Sequence, residues 1–435
     1  MAVSYLTKTD LNTDLSTAGH LDPTVQAALI SSLESSGVYD PGAEDGKKAW
    51  VEQGSYSSGP IPPTVQVLDL TNSATVQTSS TLKGIILDDA GGNQLNVAGG
   101  ANNVFVAMGE GADSINLFDS GNDTVHAGAG ADVIGGGNGN SQLYGDGGND
   151  TIYGGSGQDS IYGGDGDDVL RAGTGGHQLL DGGIGNDDIR DFSSGSSTLV
   201  GGAGNDTIWG YGADTIEGGT GNDELHGGIN STVISGSLGG EAAALGSGST
   251  QAGEANSLQG GAGQDTLYGG GGADTLTGGS GNNFLIAGSG QHQLLQGTTG
   301  DTKLFDGSSG VGTDTLIGGA GNDTIIGQQG DYFQDAGGAG SHNEFWVSGT
   351  SGASSTLQGG AGDDTFHIET KIGNDTIIGG GGTDVVGFKD RSFGDVTNLN
   401  NTAPGSYTIT FNDGQEVKVT GITELYFTDQ AVKLT

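Results

Sequence analysis

Cysteine is absent from this chain of 435 residues, which excludes disulfides and thiolate metal sites as a source of stability. Basic residues are almost as scarce: 12 Lys plus Arg stand against 53 Asp plus Glu, a formal net charge of −41. Between Asp113 and Asp384 only Arg171, Arg190, Lys303 and Lys371 are basic, so nucleic acid is excluded as a partner. No apolar run approaches the roughly 18 residues of a membrane span. The N-terminal MAVSYLTKTDLNTD lacks the basic and apolar regions of a cleaved secretory signal. The metalloprotease pattern His-Glu-x-x-His and the hydrolase elbow Gly-x-Ser-x-Gly are also missing. Paired carboxylates such as Asp167-Asp168 and Asp363-Asp364 fall in turns, and the chain is expected not to be an enzyme.

What is abundant is glycine, at 92 residues, without the three-residue period of collagen. Gly201 to Trp209 shows the arrangement, Gly-Gly-x-Gly-x-Asp-x-U-x, where U is a large apolar residue. Seventeen aspartates stand in such units: Asp113, Asp123, Asp132, Asp150, Asp159, Asp168, Asp187, Asp206, Asp214, Asp223, Asp265, Asp274, Asp314, Asp323, Asp364, Asp375 and Asp384. The glycine stretch suits a tight turn, because glycine accepts positive φ at no steric cost. The three residues after the aspartate suit a short strand whose middle side chain points inward. Two units make a coil of about 18 residues, and stacked coils bury the U row that no coil buries alone. So acidic a composition by itself fits a disordered chain. The ninth-residue periodicity argues instead for a folded solenoid, provided cations offset the rows of like charge. Carboxylates and backbone carbonyls converging in turns are hard oxygen ligands suited to Ca²⁺.

These units resemble the nonapeptide repeats of RTX (hemolysin-type) proteins. The resemblance covers roughly residues 109 to 435 and implies an all-β parallel β-roll that binds several Ca²⁺ ions, with the seventeen aspartates as metal ligands. It further implies export by type I secretion machinery through an uncleaved C-terminal signal, and hence an extracellular or cell-surface location. No catalytic or organic-cofactor residues are expected. The role it suggests is structural or adhesive, as an S-layer, matrix or filament subunit that self-associates or binds a cell-surface anchor. The alternative is a calcium-dependent binding module for a surface glycan or protein, with an RTX-associated enzyme third.

Three regions are expected. Residues 1–84 hold no repeats; Asp22 and Pro23 read as N-cap and first residue of a helix that buries Val25, Leu29 and Leu33 and closes at Gly37. This region is expected to serve assembly or anchoring. Residues 85–388 form the roll, its first coils lacking the repeat aspartates, with a Gly/Ser/Ala-rich surface loop inserted at 236–256. Residues 389–435 cap it, with a hairpin about Asn412-Asp413-Gly414 joining Tyr407–Phe411 to Val417–Val419.

Eight units keep the apolar residue but replace the aspartate, reading Ser141, His177, Ser197, Thr232, Asn256, Asn283, His292 and Thr302. Sorted alternately, one edge reads Asp132, Asp150, Asp168, Asp187, Asp206, Asp223 without a break, whereas the other, Asp123, Ser141, Asp159, His177, Ser197, Asp214, Thr232, is interrupted. Beyond the insertion the edges are not assignable from spacing. His126, His226 and His367 occupy the outward last strand position. Tyr144, Tyr162, Leu180 and Val200 are expected along one outer face, and Tyr153, Arg171, Arg190, Trp209 and His226 along the other. An ice-binding face would need a regular Thr row, which the residues preceding the ladder do not supply.

Overall fold

The computed structural model describes residues 2–18, 21–36, 38–39, 48–54, 65–87, 90–221, 223–227, 233–235, 238–239, 242–245, 257–261, 263–270, 272–288, 291–307, 314–338, 340–349, 352–369 and 373–434. The chain divides into two compact units, Met1–Thr215 and Ile216–Thr435. Both are parallel β-solenoids, in which the Gly-rich stretches turn and the tripeptides after them pair with the equivalent tripeptides of the next coil.

In the first unit two sheets face each other across a row of aliphatic side chains. Along one, Val125, Leu143, Ile161, Leu180 and Leu199 are in register on successive strands. Along the other, Ile134, Ile152, Leu170, Ile189 and Ile208 are in register. All ten are 0 % exposed. The turns show why glycine recurs: Gly164 and Gly166 have φ of 113° and 132°, and a Cβ on either would collide with a carbonyl oxygen of the preceding coil.

Coil stacking begins upstream of the expected boundary at Gly84. Val67–Leu70 pairs in parallel with Gly84–Leu87, and Lys48–Gly54 pairs in parallel with Val67–Leu70. These coils lack the repeat aspartate and hold Leu68, Leu70 and Val76 in the core. Two helices cover their outer face, α1 (Lys8–Ala18), which had no clear sequence signal, and α2 (Pro23–Ser35). Asp22 caps α2, its carboxylate accepting from Thr24 N at 2.7 Å. Val25, Leu29 and Leu33 pack with Val67, Ile86, Phe105 and Ala107 of the roll. The apolar face of α2 is therefore occupied within the protein. Gly37 lies outside the described residues.

The second unit holds the 236–256 insertion, and the expectation of a plain surface loop is corrected there. Ala242–Leu245 is a strand lying between Glu224–Gly227 and Thr266–Tyr268 in parallel register, and Leu238–Gly239 pairs with Thr220 and Gly221. The order Glu241-Ala242-Ala243 keeps the acid-x-apolar spacing of the repeat, so one sheet continues through the insertion. Thr232 and Asn256 lie outside the described residues. Further along, Phe333, Phe345 and Phe366 take the inward position, each 0 % exposed, where the turns lengthen. Phe345 and Phe366 stack at 4.8 Å.

The C-terminal strands close this unit as expected. Tyr407 pairs with Val419 and Ile409 with Val417 in the antiparallel hairpin. Glu416–Thr420 and Ile422–Tyr426 then continue the two sheets in parallel beside Thr376–Gly380 and Asp384–Phe388. Phe411 and Phe427 pack against Phe388, with the Arg391 guanidinium 4.6 Å from the Phe411 ring centre. A bare last coil would present open strand edges, and this cap removes them.

Two register assignments are corrected. Leu180 and Leu295, not Leu179 and Leu294, are the inward residues, both 0 % exposed. The ladder positions are accordingly Gln178 and Gln293, while His177 and His292 stand one residue earlier, exposed, with φ of 56° and 61°. The turns before them carry an extra residue, and adjacent leucines made either choice compatible with the spacing. Leu180 therefore leaves the expected outer row, and Asp181 takes its place beside Tyr162. Leu180→Ala is expected to cost roughly 2–5 kcal/mol in calcium-saturated urea unfolding, and Leu179→Ala less than half of that. Equal losses would contradict this register.

Candidate metal ladders

Each repeat places its aspartate at the end of a turn and the start of a strand, pointing back into the turn. In the first unit this makes a hydrogen-bonded ladder. One carboxylate oxygen (Oδ1) of Asp113, Asp132, Asp150, Asp168, Asp187 and Asp206 accepts the backbone N–H of the preceding ladder residue, at 2.6–2.8 Å. The first donor is Asn93, which occupies the ladder position in place of aspartate. All six aspartates are at most 2 % exposed.

The second oxygen is the informative one. Oδ2 of Asp132, Asp150, Asp168 and Asp187 is buried and has no hydrogen-bond partner. A buried oxygen left in this way costs about 1–3 kcal/mol, and more when it is charged. In the last three it faces a small space at the first glycine of the turn, whereas the turn before Asp132 has Ala127 instead. A Cβ on Gly145, Gly163 or Gly182 would strike Oδ2 of Asp150, Asp168 or Asp187, and would also lie 2.5–2.6 Å from the carbonyl oxygen of Gly163, Gly182 or Gly201 in the next coil. Carboxylate and carbonyl oxygens thus converge where glycine leaves room. This donor set suits Ca²⁺, which takes several oxygen ligands in flexible geometry.

The opposite edge of this unit is interrupted, but at Gln178 rather than His177. Asp123 and Asp159 keep the ladder form, their Oδ1 accepting from Val104 N and Ser141 N at 2.8 Å. Ser141 and Ser197 take the acceptor role with a hydroxyl, at 3.3 and 3.2 Å, and Asp214 accepts from Ser197 N at 2.8 Å. Gln178 satisfies its turn with its own amide, accepting from Gly173 N at 3.0 Å and donating to Gly157 O at 3.4 Å. An amide nitrogen directed at that carbonyl does the work a cation would do, without charge.

In the second unit the strand pairing assigns the edges that spacing left open. Asp223, Asp265, Asn283, Thr302, Asp323, Asn343, Asp364 and Asp384 precede the strands of one sheet. Asp274, Gln293, Asp314, Asp331, Ser355 and Asp375 precede those of the other. The same oxygen is buried and unpartnered in Asp314, Asp323, Asp364, Asp375 and Asp384. Gln293 repeats the amide arrangement of Gln178, accepting from Gly288 N at 3.0 Å. Sequence reasoning missed Asp331, because Gln328-Gln329-Gly330 precedes it in place of a Gly-x-Gly stretch, although Asp331-Tyr332-Phe333 keeps the acid-x-apolar signal. It also missed the buried Asp119, Asp191, Asp306 and Asp335, which carry no repeat signature.

A family model for the RTX calcium-binding nonapeptide repeat (4 copies) matches residues 119–143, 144–176, 193–225, 210–239, 252–291, 308–331 and 367–387. The chain carries RTX-type calcium-binding repeats. RTX repeats bind Ca²⁺ at multiple sites, and the oxygen pairs beside Gly145, Gly163 and Gly182 fit that ion. No curated protein matches the chain. Among the described residues no helix is long and apolar enough to cross a membrane.

Burial also sets the proton affinity of the metal-free ladder. Desolvation, with neighbouring aspartates adding to it, pushes Asp132 and Asp168 up to about 7 and Asp150 and Asp187 up to about 6. A carboxyl whose folded pKa lies above its unfolded value of 3.8 supports folding fully below the unfolded value, and that support is lost as pH rises through the folded one. The chelated RTX roll is therefore expected to keep its far-UV β signal near about pH 4.5 and lose it by about pH 8. Added calcium should displace protons and abolish that dependence. A chelated spectrum identical at both pH values would contradict the assignment.

Proposed function

We propose that this RTX protein is secreted and serves a structural or adhesive role at the cell surface, as an S-layer, matrix or filament subunit, with the seventeen repeat aspartates as its calcium ligands. The observation that carries this reading is how little of the described chain is anything but roll. The helices are docked on the first coils and the C-terminal strands on the last, so the regular outer faces are the main surface on offer. In the first unit, Tyr153, Arg171, Arg190 and Trp209 lie in register on one face, with Tyr153 50 % and Trp209 40 % exposed. On the other face His126, Tyr144 and Tyr162 stack at 4.4 and 4.7 Å. In the second unit Tyr268, Ile286 and Phe305 form a comparable outward row, Tyr268 and Phe305 being 41 % and 37 % exposed. Apolar rows on a flat, regular face favour lateral association.

Export through type I secretion machinery accords with the repeats, since RTX proteins generally leave the cell. Abundant external calcium would then trigger folding outside. The carboxylates serve turns and ladders rather than a catalytic pair, which favours a non-enzymatic role. The same aromatic rows also suit a second reading, a calcium-dependent binding module for a glycan, whose sugar rings stack on exposed tyrosine and tryptophan.

Electron microscopy of purified protein separates these readings. Sheets or filaments are expected in calcium and dispersed chains in chelator. Tyr268→Glu combined with Phe305→Glu should reduce assembly and leave the calcium-dependent far-UV spectrum unchanged. Monodisperse particles at every calcium level would contradict the structural reading and favour the binding module.

A further inference from the structure

In the regular repeat the inward residue two places after the buried apolar one is glycine, as at Gly318 and Gly359, and its missing side chain leaves room beside the ladder carboxylate. The second unit puts aspartate in place of that glycine twice within a short stretch. Asp306 follows Leu304 and Asp335 follows Phe333 at that position. Both are buried, Asp306 at 0 % and Asp335 at 3 % exposure. The sequence spacing from each to the next ladder position, Asp314 and Asn343 respectively, is longer than in the regular repeat. No lysine or arginine occurs between Lys303 and Lys371 to offset them.

On one edge one carboxylate oxygen from each of Asp306, Asp314 and Asp331 lies within 4.8 Å of the other two. Backbone donors orient two of the three. Gln293 N donates to Asp314 Oδ1 at 2.8 Å, while Asp331 accepts from Asp314 N at 3.1 Å and from Gln328 N at 2.7 Å. Asp314 Oδ2, in a residue 0 % exposed, is left without a hydrogen-bond partner. On the other edge Gly337 N donates to Asp335 Oδ2 at 2.7 Å, and Asp335 Oδ1 has no partner. That oxygen and Asp323 Oδ2 flank one point: a Cβ on Gly318 would lie 2.9 Å from the first and 2.7 Å from the second. The next ladder position on this edge is Asn343, whose amide donates to Asp364 Oδ1 at 2.8 Å. The carboxylate missing from the end of that turn is present at its start.

We propose that Asp306 and Asp335 are calcium ligands of a second construction, with a cation held among Asp306, Asp314 and Asp331 and another between Asp335 and Asp323. This rests on the reading of the ladder aspartates as calcium ligands and adds two that lie outside the repeat. Calcium affinity rises with the number of charged ligands, so the three-carboxylate site is the tighter one and fills before the regular ladder. The long turns are then fastened by metal where the nonapeptide geometry is lost.

The test is equilibrium dialysis of the full chain against Ca²⁺, together with the calcium midpoint of folding by far-UV circular dichroism. Asp306→Asn and Asp335→Asn preserve shape and remove charge. Each is expected to lose about one bound ion, and Asp306→Asn to raise the midpoint several-fold. Ions are counted at a calcium level where the variant's spectrum equals that of the wild type. Adding Asn343→Asp to Asp335→Asn should restore the ion by returning a carboxylate to the end of the turn. Wild-type counts and midpoints in both variants would overturn the proposal while leaving the ladder reading intact. A wild-type chain that binds no calcium would instead overturn the ladder reading itself.

Discussion

The structure depends on one arrangement: a buried aspartate that shares one oxygen with the backbone of the neighbouring coil and turns the other toward a space lined by carbonyl oxygens. Oδ1 ties coil to coil, as Asp168 does by accepting from Asp150 N at 2.7 Å. Oδ2 faces the interior of the turn, where water is excluded and a protein donor is missing. A solenoid of such coils carries along its edges a charge problem that the polypeptide does not solve with its own basic residues. A cation resolves it, and the binding free energy of that cation becomes folding free energy. Glycine belongs to the same arrangement, because a side chain on Gly163 would fill the space beside Asp168 Oδ2.

Around this edge chemistry the core is simple. One aliphatic residue per strand, repeated in register, supplies apolar burial but little that distinguishes one coil from the next. Variation is therefore confined to the turns. Where a turn keeps six residues and an aspartate, it has the form of a calcium site. Where it gains a residue, as before Gln178 and Gln293, an amide completes it without metal. Where it lengthens further, before Asp314 and Asn343, an aspartate moves to its beginning. Turn length and the means of satisfying the turn thus vary together.

Much of this was legible from residues alone. The nonapeptide spacing carries fold, stacking order and metal, since each follows from a period of nine with an aspartate and an aliphatic residue at fixed offsets. The capped helix at Pro23 and the Asn412-Asp413-Gly414 hairpin were readable for the same reason, as local chemistry with one conformational outcome. What escaped was whatever depends on turn length. Adjacent leucines at 179–180 and 294–295 hide a one-residue slip, and only strand pairing shows which of them is inward. Asp331 was missed because its turn lacks the Gly-Gly-x-Gly pattern, and Asp306 and Asp335 because their positions acquire meaning only when coils are stacked. The docking of α2 on the first coils was also hidden, since an amphipathic helix does not declare what covers its apolar face.

The account describes a calcium-binding RTX β-roll whose edges require metal and whose outer faces are left for contact. Its central claim is that folding at neutral pH requires cations at the ladder oxygens. The direct measurement is far-UV circular dichroism of the full chain near about pH 7.5, with chelator and then with calcium or magnesium added back. The account predicts loss of β-structure in chelator, full recovery with Ca²⁺, and poor recovery with Mg²⁺, which demands a more rigid octahedral site. A β spectrum unchanged by excess chelator at that pH would contradict it.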